Sequence, residues 1–383
     1  MNMQSIATLF AAVLATGACV AAEPLMYPET EDPSVNFINV EPVRSDCAVP
    51  TERTLLNGTW KFNYVEKPEE RPVDFQAEAF DDSKWDDIVV PSNWQIQGYG
   101  TPLYTNAQHP FKVDAPRVTS EPPKDWVAAR ERFAVGYYRR TFDVPEEMLK
   151  SGQTFLRFDG VEPAFHLWIN GRFVGYAEDS FSSDEFNVTK YLKPGKNTIA
   201  VRVPRWCDGS YAEDQDFFRH NGIFRDVVLF HTKDLTLRDM FMRGLLENDY
   251  KDGVLYGDVF VRNYGKEEAS GKVEWTLTRD GKTILSGSQD VSVKPGEELP
   301  VKISGKIPSV APWTAEIPNL YRFDVQMNGE KIGTEIGFRK VEIGPQFQLL
   351  VNGKEVLLKG VNRHDAHPDY GRAVPKEIVE LDL

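Results

Sequence analysis

The chain has 383 residues, 41% of them hydrophobic and 27% charged, with 58 acidic against 44 basic side chains and a formal net charge of −14. That length implies two or three domains of ordinary core-forming composition. The acid excess argues against nucleic acid or an anionic membrane as partner, because phosphate contacts need clustered Lys and Arg. It suits a neutral substrate such as a sugar, and serves equally well as a plain solubility device.

The first residues read as an export signal. The apolar run from Ile6 to Val20 is too short for a membrane span but fits a signal hydrophobic region. Val20-Ala21-Ala22 before Glu23 forms an acceptable cleavage site, which places a signal peptide at 1–22 and the protein in the periplasm or outside the cell. Thr16-Gly17-Ala18-Cys19 resembles a lipoprotein box, so a lipid anchor on Cys19 is the minority alternative. After cleavage only Cys47 and Cys207 remain, too few and too far apart for a disulfide framework, and both are expected to be free. With no CxxC, a thiolate zinc site is excluded.

From about Arg53 the chain is β-rich. Leu56 to Phe62, Gly136 to Phe142, Thr154 to Phe158, Asn197 to Val203 and Asp226 to Phe230 read as strands. Ala164 to Ile169 runs into Asn170-Gly171, a strong two-residue hairpin signal, and Phe173 to Tyr176 resumes beyond it. This predicts a jelly-roll sandwich over 35–232. A second unit over 234–343, with strands at Val254 to Val261, Val273 to Arg279, Val291 to Val293, Pro300 to Ile303 and Tyr321 to Met327, fits an immunoglobulin-like sandwich acting as a spacer. From 344 a third piece begins: Phe347 to Leu350 and Val356 to Lys359 should pair across Asn352-Gly353. After Pro375, at a first-turn position, Ile378, Val379, Leu381 and Leu383 start an apolar helical stripe. The sequence stops there without a C-cap, which reads as truncation inside a helix.

Four stretches carry candidate chemistry. Pro91-Ser92-Asn93-Trp94-Gln95 with Pro102 to Asn106 offers the amides and rings a sugar site uses, although core-filling aromatics and Asx-turns explain it better when it is taken alone. Following Arg205 to Tyr211, the run Glu213-Asp214-Gln215-Asp216 crowds three carboxylates that need a cation, an Arg or hydroxyl donors between them. Gly222 to Asp226 reads as a tight turn with Arg225 and Asp226 as structural ion-pair candidates. Asn362-Arg363-His364-Asp365-Ala366-His367-Pro368 offers two histidines that fit hydrogen bonding at the rim of a site better than metal ligation.

Singly these motifs identify no reaction; their order does. Trp85 with Val90 to Gln95, Tyr104-Thr105-Asn106, Phe158 to Val161, Phe165 to Trp168 with Asn170-Gly171, Arg205-Trp206 through Asp216, and Gly222 to Arg225 resemble the sugar-binding domain of family 2 glycoside hydrolases. Ala315 to Tyr321 and Gly337 to Arg339 continue the match, and Leu358 to His364 is similar to the opening of that family's (β/α)8 barrel. The tracts around Tyr104 and Glu213 resemble the β-galactosidase branch, which acts on β-galactosides and implies a homo-oligomer when intact. By this resemblance Asn106 contacts substrate, Asp216 binds galactose hydroxyls and ligates sodium, and His367 steadies the galactosyl ring in the transition state; Ala366 departs from a His in the family's pattern.

A retaining glycosidase needs an acid/base carboxyl and a nucleophilic carboxylate about 5–5.5 Å apart. In this family both come from the barrel, along with the magnesium ligands, and a barrel takes about 250 residues. Both catalytic Glu residues and the magnesium ligands are therefore expected to lie outside this chain, which should be inactive alone. The competing expectation is a self-contained carbohydrate-binding or scaffold protein of two β-sandwiches.

Overall fold

The computed structural model describes residues 27–106, 108–120, 131–213 and 216–383. The expected signal segment, Cys19, Asp214 and Gln215 lie outside the described residues. Among those described, no helix is long and apolar enough to cross a membrane.

The mainly-β expectation holds. In the first sandwich a seven-stranded sheet runs, in spatial order, Phe37–Ile38, Arg172–Glu178, Ala164–Ile169, Gly195–Pro204, Val135–Val144, Gly58–Val65 and Asp86–Val90. It faces a four-stranded sheet of Asp184–Asn187, Gln153–Phe158, Val227–Thr232 and Arg53–Leu55. Between them lies a fully dry core that includes Phe62, Trp94, Phe158, Leu167, Val201 and Ile223. Every ladder in both sheets is antiparallel, so alternate side chains point inward. Two short ribbons stand apart from these sheets: Leu103–Thr105 with Phe217–Arg219, and Val161–Glu162 with Gly222–Ile223.

In the second sandwich, Leu235–Glu247, Asp252–Asn263 and Glu298–Ile307 form one sheet. Lys282–Val293, Ala269–Arg279, Tyr321–Met327 and Glu330–Ile336 form the other. Leu255, Val259, Val273, Leu277, Phe323 and Val325 fill the space between them. Asn170-Gly171 turns as expected and Asp280-Gly281 turns likewise, all four residues with positive φ, as a two-residue hairpin matching strand twist requires. Leu235–Glu247 escapes the sequence pattern because a bulge between Leu237 and Asp239 breaks its alternation.

A strap over residues 41–48 joins the two sandwiches. Ser45 N–H donates to Asp239 Oδ1 (3.0 Å), and Ala48 is buried in the second core. The Glu185 carboxylate of the first sandwich sits 2.7 Å from Arg44 and 3.6 Å from Arg238, all three buried. Cys47 and Cys207 are free thiols.

The third segment differs in register from expectation. The hairpin does turn at Asn352-Gly353, but its strands are Leu349–Val351 and Lys354–Glu355, with Val341–Ile343 added outside. Phe347 falls in the left-handed region (φ 62°) and stays out of the strand, and the strands directly abut the turn as a two-residue loop demands. The helix is Lys376–Asp382, with Pro375 as its extended N-cap rather than inside the first turn.

Candidate functional site

The Leu103–Thr105 ribbon places the sugar-site candidates together. Thr105 pairs with Phe217 and Tyr104 with Phe218. One step on, Asp216 N–H donates to Asn106 O at 2.9 Å, so Asn106 and Asp216 meet across the end of the ribbon although 110 residues separate them. Tyr104 Oη donates to Asp216 Oδ1 at 2.9 Å, and that bond to a carboxylate raises the phenol above its ordinary value. Tyr104 is half exposed and rests on the Phe218 ring (centroids 5.1 Å). The result is an open platform with an aromatic face beside a carboxylate and an amide.

The neighbouring Pro91-to-Gln95 stretch is structural. Trp94 is fully buried between Phe62 and Tyr64. A Cβ on Gly136 would lie 2.5 Å from its ring, so the strand beneath must be bare there. Asn93 and Gln95 are also buried, and both bind Asn221. The structural explanation wins for this stretch.

The acidic stretch divides. Glu213 turns inward, where Ser180 N–H (3.0 Å) and Ser180 Oγ (2.7 Å) donate to it. Only Asp216 of the described carboxylates in the stretch reaches the platform. Behind them Glu178, Cys207 and Asp208 bring potential ligand atoms within 4.8 Å of one another, the one such buried grouping among the described residues. Burial pushes the Glu178 carboxyl up to about 8, and Asp208 and Cys207 upward as well. The two carboxylates suit a hard cation, whereas the thiol does not. Asp216 belongs to no such grouping among the described residues.

Arg225 and Asp226 do not pair with each other. Arg225 Nη1 donates to Phe181 O (2.8 Å) and stacks on Phe181 and Phe224, while Asp226 accepts from Asn57 Nδ2 (2.8 Å). The turn is satisfied by backbone and rings instead of charge.

Of the two histidines in the third segment, His364 touches the platform, its ring edge-on to Phe218 at 5.6 Å. His367 Nδ1 accepts from Asp369 N–H (3.1 Å), its ring lies 5.1 Å from Tyr370, and its backbone pairs with Gly371. Beside His364, a second tie between this loop and the platform runs through Arg372, which lies outside the sequence motifs. Arg372 is buried, with Nη2 donating to Phe218 O (2.9 Å) and Nε 3.2 Å from Glu162 Oε2. Burial pushes the Glu162 carboxyl up to about 8 against the pull of Arg372. A separate cleft of about 890 Å³, lined by Arg157, Asp159, Arg225, Tyr370 and Arg372 among others, opens between the first sandwich and the third segment. It is lined by none of Tyr104, Asn106, Asp216 and His367.

Comparison with known proteins follows the same three-part division. Residues 54–233 match the glycosyl hydrolases family 2 sugar binding domain, 235–339 the family 2 domain that follows it, and 341–383 the family 2 TIM barrel domain. A beta-galactosidase of Enterobacter cloacae is 39% identical over 360 residues, covering 90% of this chain and 33% of that protein. One from Priestia megaterium is 40% identical over 341 residues, covering 87% of this chain and 32% of that protein. The chain thus spans about a third of the length of these relatives. Among solved structures, Bacteroides uniformis beta-glucuronidase 2 superposes with a TM-score of 0.70 at 24% identity, covering 86% of this chain and 38% of that one. A beta-glycosidase from Bacteroides vulgatus gives 0.65 at 23%, covering 86% and 39%. From the jelly roll to the opening of the barrel, the chain belongs to glycoside hydrolase family 2.

Proposed function

We propose that this chain is the sugar-binding portion of a retaining β-galactosidase that removes terminal non-reducing β-D-galactose. The observation that carries the reading is the meeting of Tyr104, Asn106 and Asp216 at one ribbon end. A carboxylate can accept from two adjacent sugar hydroxyls, an amide can bridge a third, and an exposed ring covers an apolar sugar face. Asp216 Oδ1 accepts from Tyr104, so its second oxygen is the one offered to a hydroxyl or to sodium. His367 is the transition-state contact in this reading, and the acid/base and nucleophile carboxylates belong to the completed barrel. Contacts made by the platform in both ground and transition states supply binding energy rather than chemistry.

Calorimetry on the purified chain tests this. A thiogalactoside should bind, sodium should tighten it, and Asp216→Ala should weaken binding at least tenfold. The matching glucuronide should bind less well, since its carboxylate meets Asp216 in a chain of net charge −14. Preference for the glucuronide, or unchanged galactoside binding in the variant, would overturn the assignment. Hydrolysis of a chromogenic galactoside by the chain alone would overturn the placement of the carboxylates.

A further inference from the structure

The ribbon strand Phe217–Arg219 and the loop carrying His367 lie about 150 residues apart, yet one side chain fastens both. Arg372 is 8% exposed. Its Nη2 donates to Phe218 O (2.9 Å), and its Nε lies 3.2 Å from Glu162 Oε2. The guanidinium stacks on Phe217 (4.3 Å) and Phe181 (4.9 Å). Glu162 is held in turn by His220 N–H (3.1 Å), on the chain just past the ribbon.

The backbone beside it is seated equally closely. Arg372 N–H donates to buried Asn93 Oδ1 at 2.7 Å. Gly371 has φ +59°, and a Cβ there would lie 2.5 Å from the same oxygen. Gly371 exchanges two 2.8 Å backbone hydrogen bonds with His367. An unbroken run of contacts therefore leads from His367 through Gly371 and Arg372 to Phe218, and from there to Tyr104 and Asp216.

We propose that Arg372 is a positioning residue that clamps the His367 loop to the Asn106–Asp216 ribbon and fixes their separation. A planar fork is needed, because one group must donate to a carbonyl, face a carboxylate and lie within reach of two rings; a compact ammonium cannot do all three. The clamp itself is independent of the sugar-site reading, and only its consequence for galactoside affinity rests on that reading.

Hydrogen-exchange mass spectrometry on the purified 383-residue chain tests the clamp. Arg372→Met and Arg372→Lys should each speed exchange at least tenfold in two segments, 216–221 and 364–371, while the Gly195–Pro204 strand stays as in the wild type. Faster exchange confined to 364–371, or full restoration by Lys, would overturn the proposal. Should Arg372→Met not fold, Gly371→Ala strains the same seat while leaving the guanidinium in place. It should loosen both segments, and a one-sided response again refutes the clamp. Calorimetry with a thiogalactoside separates the two readings. Tenfold weaker binding by Arg372→Lys supports the clamp's role in the site, and wild-type affinity in that variant refutes it. Failure of the wild-type chain to bind sinks the functional reading while exchange still decides the clamp.

Discussion

The two sandwiches of this chain bury different chemistry. The first holds Glu162, His166, Asp184, Arg202, Arg205 and other charged or polar groups inside its sheets and ribbons. The second is filled mainly by Leu, Val, Ile, Phe and Met; it also buries Tyr321, Thr236 and Asn263, and its buried cation, Arg238, faces the first sandwich through Glu185. Burying a polar group costs free energy unless partners replace its water. A fold that needs only to stand between two others has no use for that cost, whereas one that must orient a platform does. In the reading proposed above, the second sandwich is frame and the first is frame plus site.

The largest effect that sharpens this contrast is at Trp94. Trp94→Ala should cost about 3–5 kcal/mol in chemical denaturation, as for a fully buried aromatic. A loss below about 1 kcal/mol, with galactoside affinity gone, would return Trp94 to the sugar site and blur the division. Next comes the joint. Glu185→Ala leaves Arg44 and Arg238 buried without their carboxylate and should cost about 3 kcal/mol. The wild type should unfold in one transition and the variant in two, and a single unshifted transition in the variant would show that the sandwiches are not coupled there.

The smallest effect is a pH dependence confined to one region. His166 accepts from Arg202 Nη1 at Nδ1 (3.2 Å) and donates to Glu29 from Nε2 (2.6 Å), the arrangement of a neutral ring. Burial pushes its pKa down to about 4, and Arg202 adds to this against the pull of Glu29. The lowered value means that His166 favours the fold fully above about 6.5 and that this contribution is lost as pH falls toward about 4. His220 acts in the same sense. Residues 235–339 contain no histidine. The buried Glu162, Glu178 and Asp184 carboxyls, all pushed up to about 8, act in the opposite sense, so the clean readout is the difference at one site: between pH 7 and 4.5 in urea melts, His166→Gln should lose less stability on acidification than the wild type. Equal acid sensitivity in the wild type and the variant would count against the neutral buried ring.

Much of this was legible in the sequence wherever the signal is local. Asn170-Gly171, Asp280-Gly281 and Asn352-Gly353 each turn a hairpin, because the positive φ values of that turn select those residues. The strands near Leu167, Val201 and Val259 show the runs that strand burial requires. Local pattern could not show that residues 41–48 cross to the second sandwich, since that strap has no periodicity of its own. Nor could it show that Glu162 faces Arg372, because the pair exists only once a loop from the far end of the chain has docked. Asn106 and Asp216 were named through family resemblance, and their contact depends on a strand pairing between residues 110 positions apart.

The platform stands on a two-stranded ribbon that belongs to neither large sheet. Its outward side chains can be exchanged without repacking the sandwich beneath, so any ligand preference held there can change at a few tip residues alone. Such a layout would let selection retune the proposed glycoside platform while the body of the molecule stays the same.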